Sequence, residues 1–158
     1  MCDGATGTNA LDLGVALPGD APDEYERQME MIDGLRQLAT VAAGDLPRLA
    51  TQHRVIGDDV CHLIAPASLP DRPDGAGKLF LTERRLVFAS GGTPLAWPWH
   101  RLVSVTRVER DVVAQTAGAG VVLIRCNTYG DALVAVHLAG RLRAAARPAA
   151  SASPGDRG

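Results

Sequence analysis

The chain changes character at about Val55, and that change limits the kind of fold it can form. From Val55 to Cys126, short apolar or alternating runs are separated by turn residues, a pattern typical of an antiparallel β domain. The clearest example is the pair of runs Lys78–Thr82 and Arg85–Ala89, which are joined by Glu83–Arg84. This pair predicts a β-hairpin.

Further strands are predicted where apolar runs lie between segments rich in Gly, Pro and Asp. Val121–Cys126 has the strongest signal of a buried strand and follows a turn at Gly118–Gly120. Asp71–Gly77 has the composition of a loop. The remaining predicted strands are Val60–Ala65, Leu95–Trp97, Leu102–Glu109 and Asp111–Gln115.

Ahead of the β region, the sequence predicts a helical extension over residues 20–53. Its start, Asp20–Glu24, combines a capping acid, a proline in the first turn and acids near the positive end of the helix dipole. Gly44–Pro47 breaks the helical pattern, and a short second helix from about Leu46 to His53 is a further expectation.

One apolar stripe runs along the predicted N-terminal helix at helical spacing. An isolated helix is marginal in water without packing, so the stripe predicts a contact. The pattern leaves open whether the stripe packs on the chain's own β domain, in a dimer or against another partner. The stripe residues are Tyr25, Met29, Ile32, Leu35 and Ala39.

A C-terminal helix is predicted to begin at Gly130–Asp131, with an apolar face formed by Leu133, Val134, Leu138 and Leu142. Strands followed by one terminal helix favour an α+β fold, in which an antiparallel sheet curls into a sandwich or barrel and the helix covers its open end. The predicted organisation is a flexible lead-in at 1–19, the helical extension at 20–53, the β-rich domain at 54–146 and a disordered tail at 147–158.

Three local patterns resemble the GRAM/PH-like superfamily. Gly77–Phe88 reads GKLFLTERRLVF and resembles the family hairpin, in which a strand ends in Leu-Thr, turns through polar residues and returns as Arg-Leu-hydrophobic-Phe. Trp97–Val105 reads WPWHRLVSV and is similar to the family's hydrophobic-Pro step into the next strand. The third pattern is the late apolar strand followed by a helix. The resemblance covers roughly 90 residues, from about Val55 to Leu142.

This resemblance implies a PH-like antiparallel β-sandwich that binds rather than catalyses. The partners it implies are phosphoinositides, other anionic lipids, peptides or partner domains. Some members assemble through exposed sheet edges. On this basis we predict a non-catalytic module with no cofactor.

The resemblance also implies that basic residues beside the first variable loop hold phosphate groups. Arginine suits this role because its planar guanidinium can bind two oxygens at once. Asp71 and Asp74 lie in the same loop and would repel phosphate, and the alternative is that the basic residues are solvated hairpin charges. The candidate ligand-binding residues are Lys78, Arg84, Arg85 and Arg72.

Trp97 and Trp99 flank Pro98 and fall on one face of an extended segment. Exposed, they would form a wedge for a membrane interface or a peptide, because tryptophan combines a large apolar area with a polar N–H group. Burial preferences favour the alternative that at least one lies in the core. The candidate interface residues are Trp97, Trp99, Tyr25, Met29 and Ile32.

The cysteines and histidines do not form a catalytic or metal-binding pattern. Three cysteines (Cys2, Cys61 and Cys126) without regular spacing do not make a disulfide framework, and we expect reduced thiols in a cytoplasmic protein. Cys61 and His62 are adjacent on a predicted strand, so their side chains point to opposite faces and cannot pair as nucleophile and base. Without a Cys-x-x-Cys or His-x-x-x-His spacing, we predict no metal site.

Charge is unevenly distributed along the chain. Residues 1–50 hold nine acids and three bases, a net charge of −6, whereas residues 51–158 hold nine acids and thirteen bases, a net charge of +4. This asymmetry permits docking of the acidic N-terminal arm on the basic body, or weak attraction of the body to an anionic surface. The sequence lacks the concentrated basic patch that binding of nucleic acid requires, so we predict no nucleic-acid partner.

Two functions remain open at this point. The first is a peripheral adaptor. It would bind an anionic membrane surface or a protein partner, through the hairpin loops or a sheet edge. The second is a self-assembling scaffold, a homo-oligomer that uses the N-terminal helix and a sheet edge. Headgroup binding should weaken as ionic strength rises, whereas apolar self-association should persist.

Overall fold

The computed structural model describes residues 20–42, 44–72, 75–118 and 120–147. The predicted lead-in at 1–19 and the tail from 148 onward lie outside the described residues, as does the part of the predicted loop at 73–74. In chain order the elements are α1 (Asp20–Ala42), β1 (Cys61–Ser68), β2 (Ala76–Thr82), β3 (Arg85–Ala89), β4 (Leu95–Pro98), a 3₁₀ turn (Trp99–Arg101), β5 (Leu102–Val108), β6 (Asp111–Thr116), β7 (Gly120–Cys126) and α2 (Tyr129–Ala146).

The strands form one antiparallel sheet in the order β4-β3-β2-β1-β7-β6-β5. Its two halves, β1 to β4 and β5 to β7, are joined by a short ladder that pairs Ala67 with Cys126 and Ser68 with Arg125. The edge strands β4 and β5 follow one another through the 3₁₀ turn but do not pair within the described residues, so the sheet is not closed. The predicted α+β class, with an antiparallel sheet and a helix before and after it, is confirmed. A closed barrel is not formed.

Three local predictions differ from the structure. The loop predicted over Asp71–Gly77 ends earlier, because Ala76 and Gly77 belong to β2 and pair with β1. The first strand was predicted to end at Ala65 but continues to Ser68. The second helix, predicted from about Leu46 to His53, is wrong, because this segment is extended and Leu49 forms a bridge with Cys61. The backbone of Leu49 donates a hydrogen bond of 2.8 Å to the Cys61 carbonyl. Bonds to β1 therefore replace those that a helix would have made.

The main core lies between the sheet and α2. Leu79 and Leu86 from one half of the sheet and Ile124 from the other half have no solvent exposure and share a cluster with Leu138 and Leu142 of α2. Each buried methylene group in such a cluster contributes about 0.8 kcal/mol. Because α2 packs on both halves, it holds them together where the β1–β7 ladder is short.

The opposite face of β2 and β3 is also covered. Phe80 and Val87 are buried there in a second cluster with Ile56, which belongs to the segment before β1. The His53 ring lies 4.8 Å from the Phe80 ring, measured between centroids. This covering explains why β2 and β3 read as nearly continuous apolar runs, since both of their faces are buried.

Helix α1 packs against the start of α2 through two glycines. A Cβ atom added at Gly34 would lie 2.7 Å from the Gly130 Cα atom, and one added at Gly130 would lie 2.6 Å from the Glu30 carbonyl oxygen. Any larger side chain would push the helices apart. The glycines therefore allow a close backbone approach that no other residue permits here.

Each helix also provides a side chain that hydrogen-bonds to a backbone group at one end of the other helix. Glu30 Oε2 accepts a hydrogen bond of 2.7 Å from the backbone N–H of Tyr129, the first residue of α2. Arg141 Nη1 donates a bond of 3.0 Å to the Val41 carbonyl near the end of α1. A carboxylate at a helix start and a guanidinium at a helix end are each favoured by the dipole, so these contacts stabilise the docked arrangement.

Replacing Gly34 with Ala should lower the free energy of unfolding by about 1–3 kcal/mol, because the new methyl group must displace the backbone at Gly130. Gly140→Ala is the matched control: this glycine lies in α2 with open space around its Cβ position, so the change should raise stability by up to about 1 kcal/mol. Urea unfolding followed by circular dichroism measures both. Equal effects of the two changes on stability would contradict the close approach of α1 and α2 at Gly34 and Gly130.

Candidate functional site

The four basic residues predicted as a ligand site are not brought together. Arg72 lies in the loop before β2, and Lys78 near the start of β2 is paired with Ala89. Arg84 occupies the turn at the other end of this hairpin. From Lys78 to Thr82 the strand rises about 13 Å, at about 3.3 Å per residue. Anion binding by individual residues stays a prediction, but one site holding all four is not formed.

The two arginines at the hairpin turn have different surroundings. Arg85 Nη2 donates a hydrogen bond of 2.9 Å to the Val55 carbonyl, so this side chain anchors the segment before β1. Arg84 is exposed, and its Nη1 lies 3.8 Å from Asp58 Oδ1. Asp58 and Asp59 line the shallow depression beside both arginines. Their carboxylates would repel a phosphate group there.

The two tryptophans support the corner between β4 and β5. Trp99 is 2 % exposed, and its Nε1 donates a hydrogen bond of 2.9 Å to the Thr82 carbonyl. The assignment of Trp99 to a surface interface is therefore wrong, whereas the expectation that at least one tryptophan lies in the core is confirmed. Trp97 is half-buried, packs against the main core and is paired with Leu86.

Cys61 and His62 each bind a backbone carbonyl rather than each other. The Cys61 thiol donates to the Leu63 carbonyl at 3.3 Å, and His62 Nδ1 lies 2.6 Å from the Pro47 carbonyl, which can only accept. Burial raises the pKa of the Cys61 thiol, whereas an activated nucleophile needs a lowered one. Within the described residues, no group of three or more His, Cys, Asp or Glu side chains could hold a metal ion.

Cys126 gives a pH-dependent prediction. Burial, with smaller effects of Asp131 and Asp111, raises the pKa of its thiol from 9.0 to about 12. Between these two values the unfolded chain has lost the proton and the folded chain has kept it. Stability should therefore fall as pH rises above 9, by on the order of 1 kcal/mol from this thiol at pH 10.

Unfolding free energies measured from pH 8 to pH 10.5 test this for the wild type and for Cys126→Ala. The variant keeps every other titrating group, so its stability should decline less steeply by the amount that the thiol contributes. Equally steep declines in the two proteins would contradict the assignment of this pH dependence to the Cys126 thiol.

A groove that the sequence did not predict lies between the start of β5 and the end of α2. Arg143 forms one side of it and donates to the carbonyl oxygens of Leu102, at 3.2 Å, and of Val103. The only sequence signal for this groove was the presence of basic residues near the end of the helix. The lining residues are Trp99, His100, Leu102, Val103, Arg143 and Arg147.

The groove adjoins an open strand edge. Val108 is paired with Asp111 across the two-residue turn Glu109–Arg110, so this pair shares ladder hydrogen bonds. Because bonded and non-bonded positions alternate along an antiparallel pair, the backbone N–H and C=O groups of Val105 and Arg107 point away from β6. No strand within the described residues pairs with that side of β5.

The stripe predicted on the N-terminal helix is exposed. Tyr25, Met29, Ile32 and Leu35 are all among the large apolar side chains that face solvent. Helix α1 docks on its own chain, but it does so through the face that carries Gly34. Packing of the stripe on the chain's own β domain, one of the open alternatives, is therefore excluded.

Comparisons with known proteins add no assignment to this geometry. No protein-family model matches the chain. No curated protein matches it either. Among the helices of the described residues, none is both long enough and apolar enough to cross a membrane. The groove beside β5 is thus the candidate site on its geometry alone.

Proposed function

We propose that this chain is a non-catalytic binding module of the GRAM/PH-like kind, which takes a protein partner as an extended segment along β5. The observation that carries the proposal is the position of the groove beside the open edge of this strand. An extended peptide can add to such an edge through main-chain hydrogen bonds, while a neighbouring pocket selects a side chain. An antiparallel sheet followed by a covering C-terminal helix supports the GRAM/PH-like assignment, since the resemblance implies both.

The groove favours a segment that carries a carboxylate next to an apolar residue. Val103 is 54 % exposed and supplies apolar surface, while Arg143 and Arg147 are the charged residues of the lining. The carbonyl oxygens that hold Arg143 fix its guanidinium in place, so little side-chain entropy is lost when a carboxylate binds.

An anionic membrane is the less supported partner. Arg72 and Lys78 lie at one end of the β2–β3 hairpin and Arg84 at the other, with Asp58 beside Arg84. A single headgroup therefore cannot engage them together, and isolated surface charges contribute little. The β5 edge does not depend on these residues.

The edge can be tested by removing one backbone donor. Arg107→Pro deletes an N–H group that points away from β6, so the β5–β6 ladder should persist. We expect at least about a tenfold loss of peptide affinity, because one main-chain hydrogen bond is lost and the ring obstructs the incoming strand. Peptides selected from a phage-displayed random decapeptide library on the wild-type protein, and then measured by fluorescence anisotropy, are the probes.

Arg107→Ala is the matched control, because it removes the same side chain, including its hydrogen bond to the Glu109 carbonyl, but keeps the backbone N–H. It should bind the selected peptides nearly as tightly as the wild type. Failure to enrich any peptide, or equal affinity of the Pro variant, would sink the proposal. Salt-sensitive sedimentation with anionic vesicles, lost in Arg84→Ala, would instead favour the lipid alternative.

A further inference from the structure

Within the described residues, helix α1 leaves an apolar face without a partner, opposite the face that docks. Gly34 contacts α2, and Ile32 lies two residues away, about 200° around the helix. Tyr25 is 66 % exposed, Met29 39 %, Ile32 41 % and Leu35 55 %. These four side chains follow helical spacing, so their exposed areas form one continuous strip.

We infer that this strip, formed by Tyr25, Met29, Ile32 and Leu35, binds the same strip of a second copy of the chain, with the two α1 helices antiparallel. Such a contact is isologous, so each favourable pair of residues occurs twice. The charges along α1 determine the direction of the pairing.

Acids are concentrated in the first half of α1. Asp23, Glu24, Glu26 and Glu30 lie there together with Arg27, whereas the second half holds one acid, Asp33, and one base, Arg36. A parallel pair would set the two acidic halves against each other. An antiparallel pair instead brings Arg36 of each copy to the acidic half of the other, which is the complementary arrangement.

Arg36 is placed to make this contact. It follows Ile32 by four residues and so lies on the same side of the helix as the strip. A twofold axis midway between Met29 and Ile32 sets Tyr25 opposite Arg36 of the second copy, because both residues are equally far from that midpoint. The guanidinium can then lie over the tyrosine ring, a favourable cation–π arrangement. Among the described residues, the side chain of Arg36 pairs only with exposed Asp33, at 3.0 Å.

The same charges disfavour a membrane as the occupant of the strip. Residues 23–41 contain five acids and two arginines, a net charge of −3. Helices that lie on membrane surfaces are instead rich in Lys and Arg on their polar face. An anionic bilayer would repel α1 along its whole length. A second copy also carries a net charge of −3, but the antiparallel arrangement places its Arg36 beside Glu24 and Glu26 and so offsets this repulsion at the contact.

The exposed area determines how strong the dimer can be. The four exposed fractions amount to roughly two whole large side chains, or about 400 Å² per copy at about 200 Å² each. The total of about 800 Å² is below the roughly 1,200 Å² of stable interfaces. We therefore expect a weak dimer, with a dissociation constant in the micromolar range or above, and a mostly monomeric protein at low concentration.

Sedimentation velocity of the full chain from about 10 μM to about 1 mM tests the association. Ile32→Gln removes apolar area but keeps a good helix former, and should weaken the dimer tenfold or more. Arg36→Glu should weaken it about fivefold or more at low salt, with a smaller effect at high salt. Both residues are exposed, so the monomer should keep its circular dichroism spectrum and thermal midpoint.

Arg84→Glu is the matched control for charge. The side chain of Arg84 is 70 % exposed and lies near one aspartate, much as that of Arg36 is 73 % exposed and paired with one aspartate, but Arg84 lies at the β2–β3 turn. This variant should associate like the wild type. If the two charge reversals weakened the dimer equally, the effect would come from net charge alone. That result would overturn the assignment of the contact to the strip.

Spin labels test the antiparallel direction. Single cysteines at Gln28 and Ala39, in a Cys2→Ser background that retains the buried Cys61 and Cys126, carry the labels. For the twofold axis given above, the two copies of position 28 are about 8 Å apart along the helix axis and those of position 39 about 26 Å apart. A parallel pair would give equal distances at both positions.

Three results would overturn the inference. The first is a monomer at every concentration, and the second is equal label distances at the two positions. The third is association that survives Ile32→Gln but is lost in Arg107→Pro, which would place the contact at the β5 edge. Peptide binding by the β5 groove is measured separately, so failure of the dimer leaves that proposal standing.

Discussion

The packing of α2 on both halves of the sheet is the contact on which the rest of the structure depends. β1 and β7 share only two register pairs, so the hydrogen bonds of the sheet join its halves weakly. Leu138 and Leu142 share one core with side chains from both halves and supply the missing link. Within the described residues, this support lets β4 and β5 remain the edges of the sheet, which is the condition for a strand-edge site. Helix α1 in turn secures α2, through Glu30 at its start and Arg141 near its end.

The elements that the sequence predicted correctly are those defined by local patterns. The β2–β3 hairpin and α2 follow from apolar periodicity and turn residues, which act over a few positions. The predicted helix at Leu46–His53 failed because its backbone binds β1, as in the contact of His62 with the Pro47 carbonyl. The stripe on α1 was recognised, yet periodicity did not show which face docks. The docked face is built around Gly34, which has no side chain and so contributes nothing to an apolar pattern.

The site could not be predicted for a related reason. From the sequence, Arg85 and Trp99 were candidates for surface binding sites. In the structure, each side chain donates a hydrogen bond to a backbone carbonyl of another segment. The positions of carbonyl groups depend on the tertiary fold and leave no trace in residue spacing. The groove beside β5 joins Leu102 to Arg143, which are 41 residues apart. The family resemblance implies a site at the hairpin loop, whereas the exposed edge arises from the strand order.

The two faces of α2 separate the groove from α1. Arg141 and Arg143 are two residues apart, about 200° around the helix, so they point to opposite sides. Arg141 binds the Val41 carbonyl of α1, while Arg143 binds the Leu102 carbonyl of β5. Pairing of two copies through the outer face of α1 therefore leaves both grooves open. A partner with two suitable segments would engage them together at a raised effective concentration, and its binding would favour the dimer in return. Two individually weak contacts can in this way give a firm complex that forms only with a multivalent partner.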